Sequence, residues 1–167
     1  MKLLIINDQF ESGGAGRVTA TMCNELAKRG YDIEVITDNI NFTVRYTLPN
    51  NITIHPTEFI SQKKGTISRV LSLFKTASKI RPIIKNVNPD VILAIQSNGF
   101  IRTFIANRRT GIPVIAVDHT SFARKMDCIN TLTRHYLYKF ADGLSILTKR
   151  DEKLLGNKYP QDRKSVV

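Results

Sequence analysis

The chain has 167 residues, the size of one ordinary domain, a length at which folding buries about two thirds of the unfolded surface. An apolar fraction of 42% and an aromatic fraction of 8% fit a soluble globular protein and exclude a disordered or low-complexity chain; no internal repeat is present. The net charge is +11, with seven Lys or Arg and no acid between Gln62 and Asn88, which favours polyanionic partners or, equally, solvated helix faces.

In chain order, Lys2–Asn7 is a short apolar run, too short for the core of a signal peptide, and is predicted to be a buried strand. The loop Glu11-Ser12-Gly13-Gly14-Ala15-Gly16-Arg17 follows it. Val18, Met22, Cys23, Leu26 and Ala27 recur at helical spacing, and Gly30 ends that helix. Asp32–Thr37 is the second strand. Thr43–Leu48 and Ile52–His55 alternate around Pro49-Asn50-Asn51 and read as a hairpin or a strand pair at a sheet edge. Thr66–Ile80 is a helix with Ile67, Val70, Leu71, Phe74 and Ala77 on one stripe and Arg69, Lys75 and Lys79 on the other side; Pro82 is expected to kink or interrupt it.

The turn Asn88-Pro89-Asp90 leads into the strand Val91–Ile95. Phe100–Asn107 is a short helix, and Gly111-Ile112-Pro113 turns into the strand Val114–Val117. Leu132, Tyr136, Leu137 and Phe140 mark a further helix, Leu144–Leu147 a sixth apolar strand, and Arg150–Leu155 a final helix. No segment approaches the ~20 apolar residues of a membrane-spanning helix. Cys23 and Cys128 match no metal-ligand spacing and are expected as small core residues in a reducing cytosol.

Short apolar strands alternating with helices imply an α/β fold: one doubly wound, mostly parallel Rossmann-like domain over residues 1–167, with strand order about 3-2-1-4-5-6. Ligands of such sheets bind beyond the carboxyl ends of the strands where the order reverses, here between the first and fourth strands. That rule nominates Asn7–Arg17, Gln96–Asn98 and, one strand over, Asp118–Thr120.

Within these segments, Gly13, Gly14 and Gly16 would let a ligand approach the backbone, and the helix start and Arg17 would attract phosphate. Gly14–Thr19 is also close to a dinucleotide fingerprint, with Asp38 near the place of a ribose-binding acid. Thr19 replaces its last glycine, however, and a spacer separates the glycines from the strand end, so a nicotinamide-binding oxidoreductase domain stays an alternative. His119, at the end of a central strand, is the candidate catalytic residue, able to donate a hydrogen bond or carry a proton. His55 and His135 have less claim, lying on the edge hairpin and inside a helix. No D-x-D pair, P-loop or G-x-S-x-G elbow is present, and no metal is predicted.

The order and spacing of several segments resemble glycosyltransferase family 4, enzymes of the two-domain GT-B fold. Lys2-Leu3-Leu4-Ile5-Ile6 followed by Gly13-Gly14-Ala15-Gly16-Arg17-Val18 resembles the family's opening strand and loop, and Leu26–Tyr31 with Glu34–Thr37 its first helix end and second strand. Asn88-Pro89-Asp90-Val91-Ile92, Ile112–His119 and Ala141–Thr148 resemble the entries to its fourth, fifth and sixth strands. One departure is Gly16, where many members carry glutamate.

The resemblance implies the N-terminal, acceptor-side half of a retaining glycosyltransferase of glycan or cell-envelope synthesis. It would use a nucleotide sugar donor without a bound metal or other cofactor. Gly13, Gly14, Gly16 and Arg17 would meet the donor's phosphates, His119 the transferred sugar, and Asn7, Asp8, Ser97, Asn98 and Asp118 the acceptor. The donor-binding C-terminal domain, with its two spaced glutamates, is expected to be missing from this chain, which alone should be inactive. The acceptor is expected to be a saccharide or a lipid-linked glycan. The basic stretch from Thr66 to Lys85 would attract an anionic membrane surface, placing a cytoplasmic protein at the inner face of the membrane. A non-catalytic binding module is a further alternative; specific nucleic-acid binding is not expected, because no recognition motif is present.

Overall fold

The computed structural model describes residues 1–8, 13–38, 46–57, 65–155 and 164–166. Among the described residues, seven strands form one sheet: β1 (Lys2–Asn7), β2 (Asp32–Thr37), β3 (Thr53–Pro56), β4 (Val91–Ile95), β5 (Val114–Asp118), β6 (Gly143–Ile146) and β7 (Lys164–Val166). Their order is β3-β2-β1-β4-β5-β6-β7, and every adjacent pair is parallel. This is the expected doubly wound sheet, extended at one edge by the three-residue β7, too short a run to be legible in the sequence. The helices are α1 (Gly13–Lys28), α2 (Thr66–Val87), α3 (Gln96–Ala106), α4 (Cys128–Leu132) and α5 (Lys149–Leu155). Between α4 and β6 the chain continues as a π-helical turn over Thr133–Leu137 and a 3-10 turn over Tyr138–Phe140.

Side chains alternate across the pleat, so each strand feeds both faces. Leu4, Ile6, Ile92, Ala94, Val114, Ala116, Leu144 and Ile146 pack on one face with Ile80 and Ile84 of α2, Phe100 of α3, Tyr138 and Leu155. Ile5, Ile33, Val35, Leu93, Ile95 and Val117 face the other side, against Ala20 and Cys23 of α1. Burial pushes the Cys23 thiol up to about 12, so it acts as a small apolar core residue. Cys128, by contrast, is exposed at the start of α4 rather than buried.

Three elements differ from their sequence reading. Among the described residues the expected hairpin is not seen: β3 pairs parallel with β2, Glu34 opposite Thr53 and Ile36 opposite His55, and Tyr46–Leu48 is not a strand. Residues 43–45 lie outside the described residues. Alternation over four residues suits a parallel edge strand as well as a hairpin arm. Second, α2 runs through Pro82 to Val87. Pro82 is exposed, so water can satisfy the carbonyl its ring leaves unpaired, while buried Ile80, Ile84 and Val87 hold the helix to the sheet on both sides. Third, the apolar stripe does not face the core along its whole length. Ala77 is buried, but Ile67 is 79% exposed, and Val70, Leu71 and Phe74 are exposed with it.

Candidate functional site

The carboxyl edge of the sheet gathers the candidate residues from four elements. At the end of β1, Asn7 is buried in register with Thr37, below the surface of the edge, and Asp8 follows it half-buried. Asp8 forms an ion pair with the buried Arg102 of α3. Burial raises the Asp8 carboxyl above its usual range, against the opposing pull of the Arg102 guanidinium. Arg102, which no sequence motif singled out, thus lies beneath the site.

The glycines expected in a loop belong to α1, which begins at Gly13. The first four amides of a helix have no partner within it, so the glycine-rich segment presents backbone N–H groups and the positive end of the helix dipole at the edge. No atom lies within 4 Å of where a Cβ on Gly14 would be. Packing therefore does not require glycine there, although glycine in a helix costs about 0.5–1 kcal/mol relative to alanine. Gly14–Thr19 also lies within the helix, whereas a dinucleotide fingerprint must place its glycines in the tight turn that leaves the strand.

At the end of β4 the chain turns into α3 without a loop. Gln96 adopts φ 60°, and Gly99 passes so close to β1 that a Cβ would lie 3.1 Å from the Ile6 carbonyl oxygen. Helix α3 therefore starts four residues earlier than its apolar periodicity indicated, and Ser97 and Asn98 lie in its first turn. Ser97 is buried and donates its hydroxyl to Asn130 Oδ1 at 2.9 Å. Asn130 in turn donates to Asp127, whose carboxylate caps α4 and pairs with Arg69 of α2 at 2.9 Å. Asn98 is half-buried beside Arg69, Arg102 and Ile129.

At the end of β5, Asp118 differs from its expected role as an acceptor contact. Its Oδ1 accepts from Thr120 N and Arg134 Nη2, and its Oδ2 from Arg134 Nε and Tyr138 O–H, all between 2.8 and 3.0 Å. Four bonds fill a carboxylate's acceptor positions, so Asp118 is a strut inside the fold. Nothing about Asp118 in the sequence separates the two roles, since its side-chain partners Arg134 and Tyr138 lie 16 and 20 residues further on.

His119 is half-buried, and its Nε2 is buried with no hydrogen-bond partner among the described residues. It lines an open trough of about 490 Å³ with Arg17, Val18, Met22 and Leu26 of α1 and Leu93, Ile115, Val117 and Ser145 of the sheet. The structure thus brings together Arg17 and His119, two residues chosen from separate segments. Burial lowers the His119 pKa, with the neighbouring Asp118 charge working the other way, and the ring is neutral near pH 7. The unfolded chain then binds the proton more readily. The His119 contribution to stability is complete above about pH 6.5, the unfolded value, and is lost as pH falls through the folded-state pKa. His119→Gln is expected to flatten the stability profile below about pH 6.5; thermal melts that keep the wild-type slope would contradict this.

The comparisons agree with this architecture. The family model Glycosyltransferase Family 4 matches residues 12–166. The chain is 26% identical over 153 residues to a GalNAc-alpha-(1->4)-GalNAc-alpha-(1->3)-diNAcBac-PP-undecaprenol alpha-1,4-N-acetyl-D-galactosaminyltransferase of Campylobacter jejuni subsp. jejuni serotype O:2, covering 91% of this chain and 42% of that protein. Among solved structures, sucrose-phosphate synthase from Thermosynechococcus elongatus superposes with a TM-score of 0.78 at 10% identity, over 99% of this chain and 47% of the other. MurG of Acinetobacter baumannii gives 0.67 at 14% identity, over 99% and 45%. The chain spans less than half the length of each of these relatives. The family match over nearly its whole length establishes that the chain belongs to glycosyltransferase family 4.

Proposed function

We propose that this chain is the acceptor-side half of a retaining, nucleotide-sugar-dependent glycosyltransferase that works without a bound metal and extends a saccharide or lipid-linked glycan. The carrying observation is the meeting of Arg17 and His119 at the carboxyl-edge end of a trough that runs down the sheet face along α1, beside the glycine-rich start of that helix. Charge builds on the leaving diphosphate during transfer. The α1 amides and Arg17 supply positive potential for it, together with cations of a second domain. The neutral His119 imidazole hydrogen-bonds the sugar being transferred. Asp8 and Asn98 border the acceptor, with Arg102 holding Asp8 and the buried Ser97 fixing the first turn of α3 through Asn130.

Transfer is tested with the longer polypeptide that carries this chain and a donor-binding domain, using a panel of UDP-sugars and a prenyl-diphosphate-linked saccharide. His119→Ala is expected to lower kcat about 100-fold, the scale for losing one hydrogen bond to the reacting centre. The 167-residue chain alone is expected to give no turnover. Turnover by this chain alone, or an undiminished His119→Ala enzyme, would overturn the reading.

The acceptor's lipid is supported by the exposed stripe on α2. Ile67, Val70, Leu71 and Phe74 follow helical i, i+3, i+4, i+7 spacing, and Lys75 is exposed beside them. An apolar face edged by cations suits an anionic membrane surface, and the Campylobacter relative is named for an acceptor on PP-undecaprenol. No described helix is long and apolar enough to cross a membrane; the proposed contact is a peripheral one at the cytoplasmic face. Ile67→Ser with Phe74→Ser is expected to weaken co-sedimentation with phosphatidylglycerol vesicles at least about ten-fold, since half-burying two such side chains gains ~1.5–3 kcal/mol. Lack of wild-type binding at low salt would sink the membrane assignment.

A further inference from the structure

Just after His119, three backbone groups, the Thr120 and Ser121 carbonyls and the Phe122 amide, are taken up by two side chains from elsewhere in the fold. Arg134, in the π-helical turn, donates from Nη2 to the Thr120 carbonyl at 2.7 Å and from Nη1 to the Ser121 carbonyl at 3.1 Å, besides its two bonds to Asp118. Its guanidinium also lies 4.5 Å from the centre of the Phe122 ring. Asp151, in the first turn of α5, accepts at Oδ1 from Phe122 N at 2.8 Å and Ser121 O–H at 3.0 Å. Its other oxygen accepts from Thr148 O–H at 2.8 Å, and its amide donates back to Thr148, a reciprocal cap that fixes the Asp151 side chain. Arg134 and Asp151 are both buried.

His119 does not anchor itself: its Nε2 has no partner among the described residues. Its direction is inherited from the backbone on either side. We propose that Arg134 and Asp151 are positioning residues for His119, holding the segment after β5 in one conformation so that the imidazole is presented at a fixed angle to the sugar. Reacting groups must be held within about 0.5 Å and 10–20° of the productive geometry, and a slip of about 1 Å can cost roughly 100-fold in rate. This rests on the proposed contact between His119 and the transferred sugar, but its structural half can be read without substrate.

The imidazole titrations of this 167-residue chain are followed by NMR in wild type, Asp151→Ala and Asp151→Asn. The His119 signal is assigned by its loss in His119→Gln, and His55 and His135 serve as internal controls. The charged groups around the ring are Asp118 beside it and Arg17 and Glu25 of α1 on the same trough. None of these changes in the variants, and Asp151→Asn removes the same charge as Asp151→Ala, so it controls for the field that Asp151 exerts through Arg134 and Asp118. Asp151→Ala is expected to speed exchange of the Phe122 amide at least about ten-fold, as a lost hydrogen bond would. It is also expected to move the His119 pKa up toward its ordinary value, because the released segment admits water to the ring. Asp151→Asn, which keeps an acceptor in place, is expected to stay near wild type.

A His119 titration identical in wild type and Asp151→Ala, with the Phe122 amide deprotected, would reduce Asp151 to a helix cap and overturn the proposal. An equal shift in Asp151→Asn would overturn it as well. Should Asp151→Ala not fold, Ser121→Ala, which deletes a single bond, is expected to give a smaller shift in the same direction, and no shift there contradicts the inference. In the longer enzyme, Asp151→Ala is expected to lower kcat with little change in donor KM, rescued by Asp151→Asn. Absence of any wild-type transfer would count against the proposed function and leave the titration result standing.

Discussion

Asp118→Ala is expected to cost about 3–5 kcal/mol of folding stability, because it leaves the Arg134 guanidinium buried without its counter-charge. Asp118 is 1% exposed and Arg134 3%, so water cannot replace the lost carboxylate. Tyr138 O–H and Thr120 N lose their acceptor in the same step. For a chain of this size the expected fall in Tm is roughly 6–20 °C. Asp118→Asn keeps the shape but turns an amide N–H₂ toward Arg134 or Tyr138, and should fall between wild type and alanine. Replacing the pair with Asp118→Leu and Arg134→Met removes the orphaned charge. It should recover only part of the loss, because the Thr120 and Ser121 carbonyls still lose their donor. Thermal melts by circular dichroism decide the matter: a loss below about 1 kcal/mol for Asp118→Ala would mean that the network is looser than its geometry indicates.

The second large effect is expected at Gly99. A Cβ there would lie 3.1 Å from the Ile6 carbonyl oxygen, an atom of β1 that cannot swing aside. Overpacking of this kind costs typically about 1–3 kcal/mol. Gly99→Ala recovers about 0.8–1 kcal/mol from helix propensity and should end near a net loss of ~1 kcal/mol. Gly99→Val adds two further carbons at the same contact and should lose about 2–3 kcal/mol in urea melts. The displacement falls on the first turn of α3, so the Ser97–Asn130 bond and the placement of Asn98 should change with it. A Gly99→Val chain as stable as wild type, with an unshifted Asn98 amide resonance, would contradict the close-approach account.

The frame of the fold was legible because buried parallel strands read as apolar runs: Lys2–Asn7, Asp32–Thr37 and Val91–Ile95 coincide with β1, β2 and β4. The switch point followed from the order of the elements, and with it the edge where Arg17 and His119 meet. What stayed hidden depends on contacts between distant residues. Asp118 was expected to contact the acceptor, and no sequence motif ties it to its partner Arg134, sixteen residues on. Which part of the α2 stripe packs on the sheet was not legible, because periodicity reports that a face is apolar, not what covers it. Ser97 and Asn98 looked like loop because a strand that enters a helix through a single φ 60° residue leaves no turn signature. Thr148-Lys149-Arg150-Asp151 did carry a legible signal, the capping pattern, but its reach to Phe122 was not in the sequence.

The central claim is that the carboxyl edge of this sheet is the acceptor face of a sugar transferase. Its most direct test is an NMR titration of this chain with a short-chain prenyl diphosphate carrying N-acetylgalactosamine. Shifts are expected to centre on the amides of Asp8, Ser97 and Asn98, with the donor-side residues Gly14 to Arg17 and His119 moving less. Shifts centred on the β3 edge or around Cys128, or none at millimolar ligand, would contradict it.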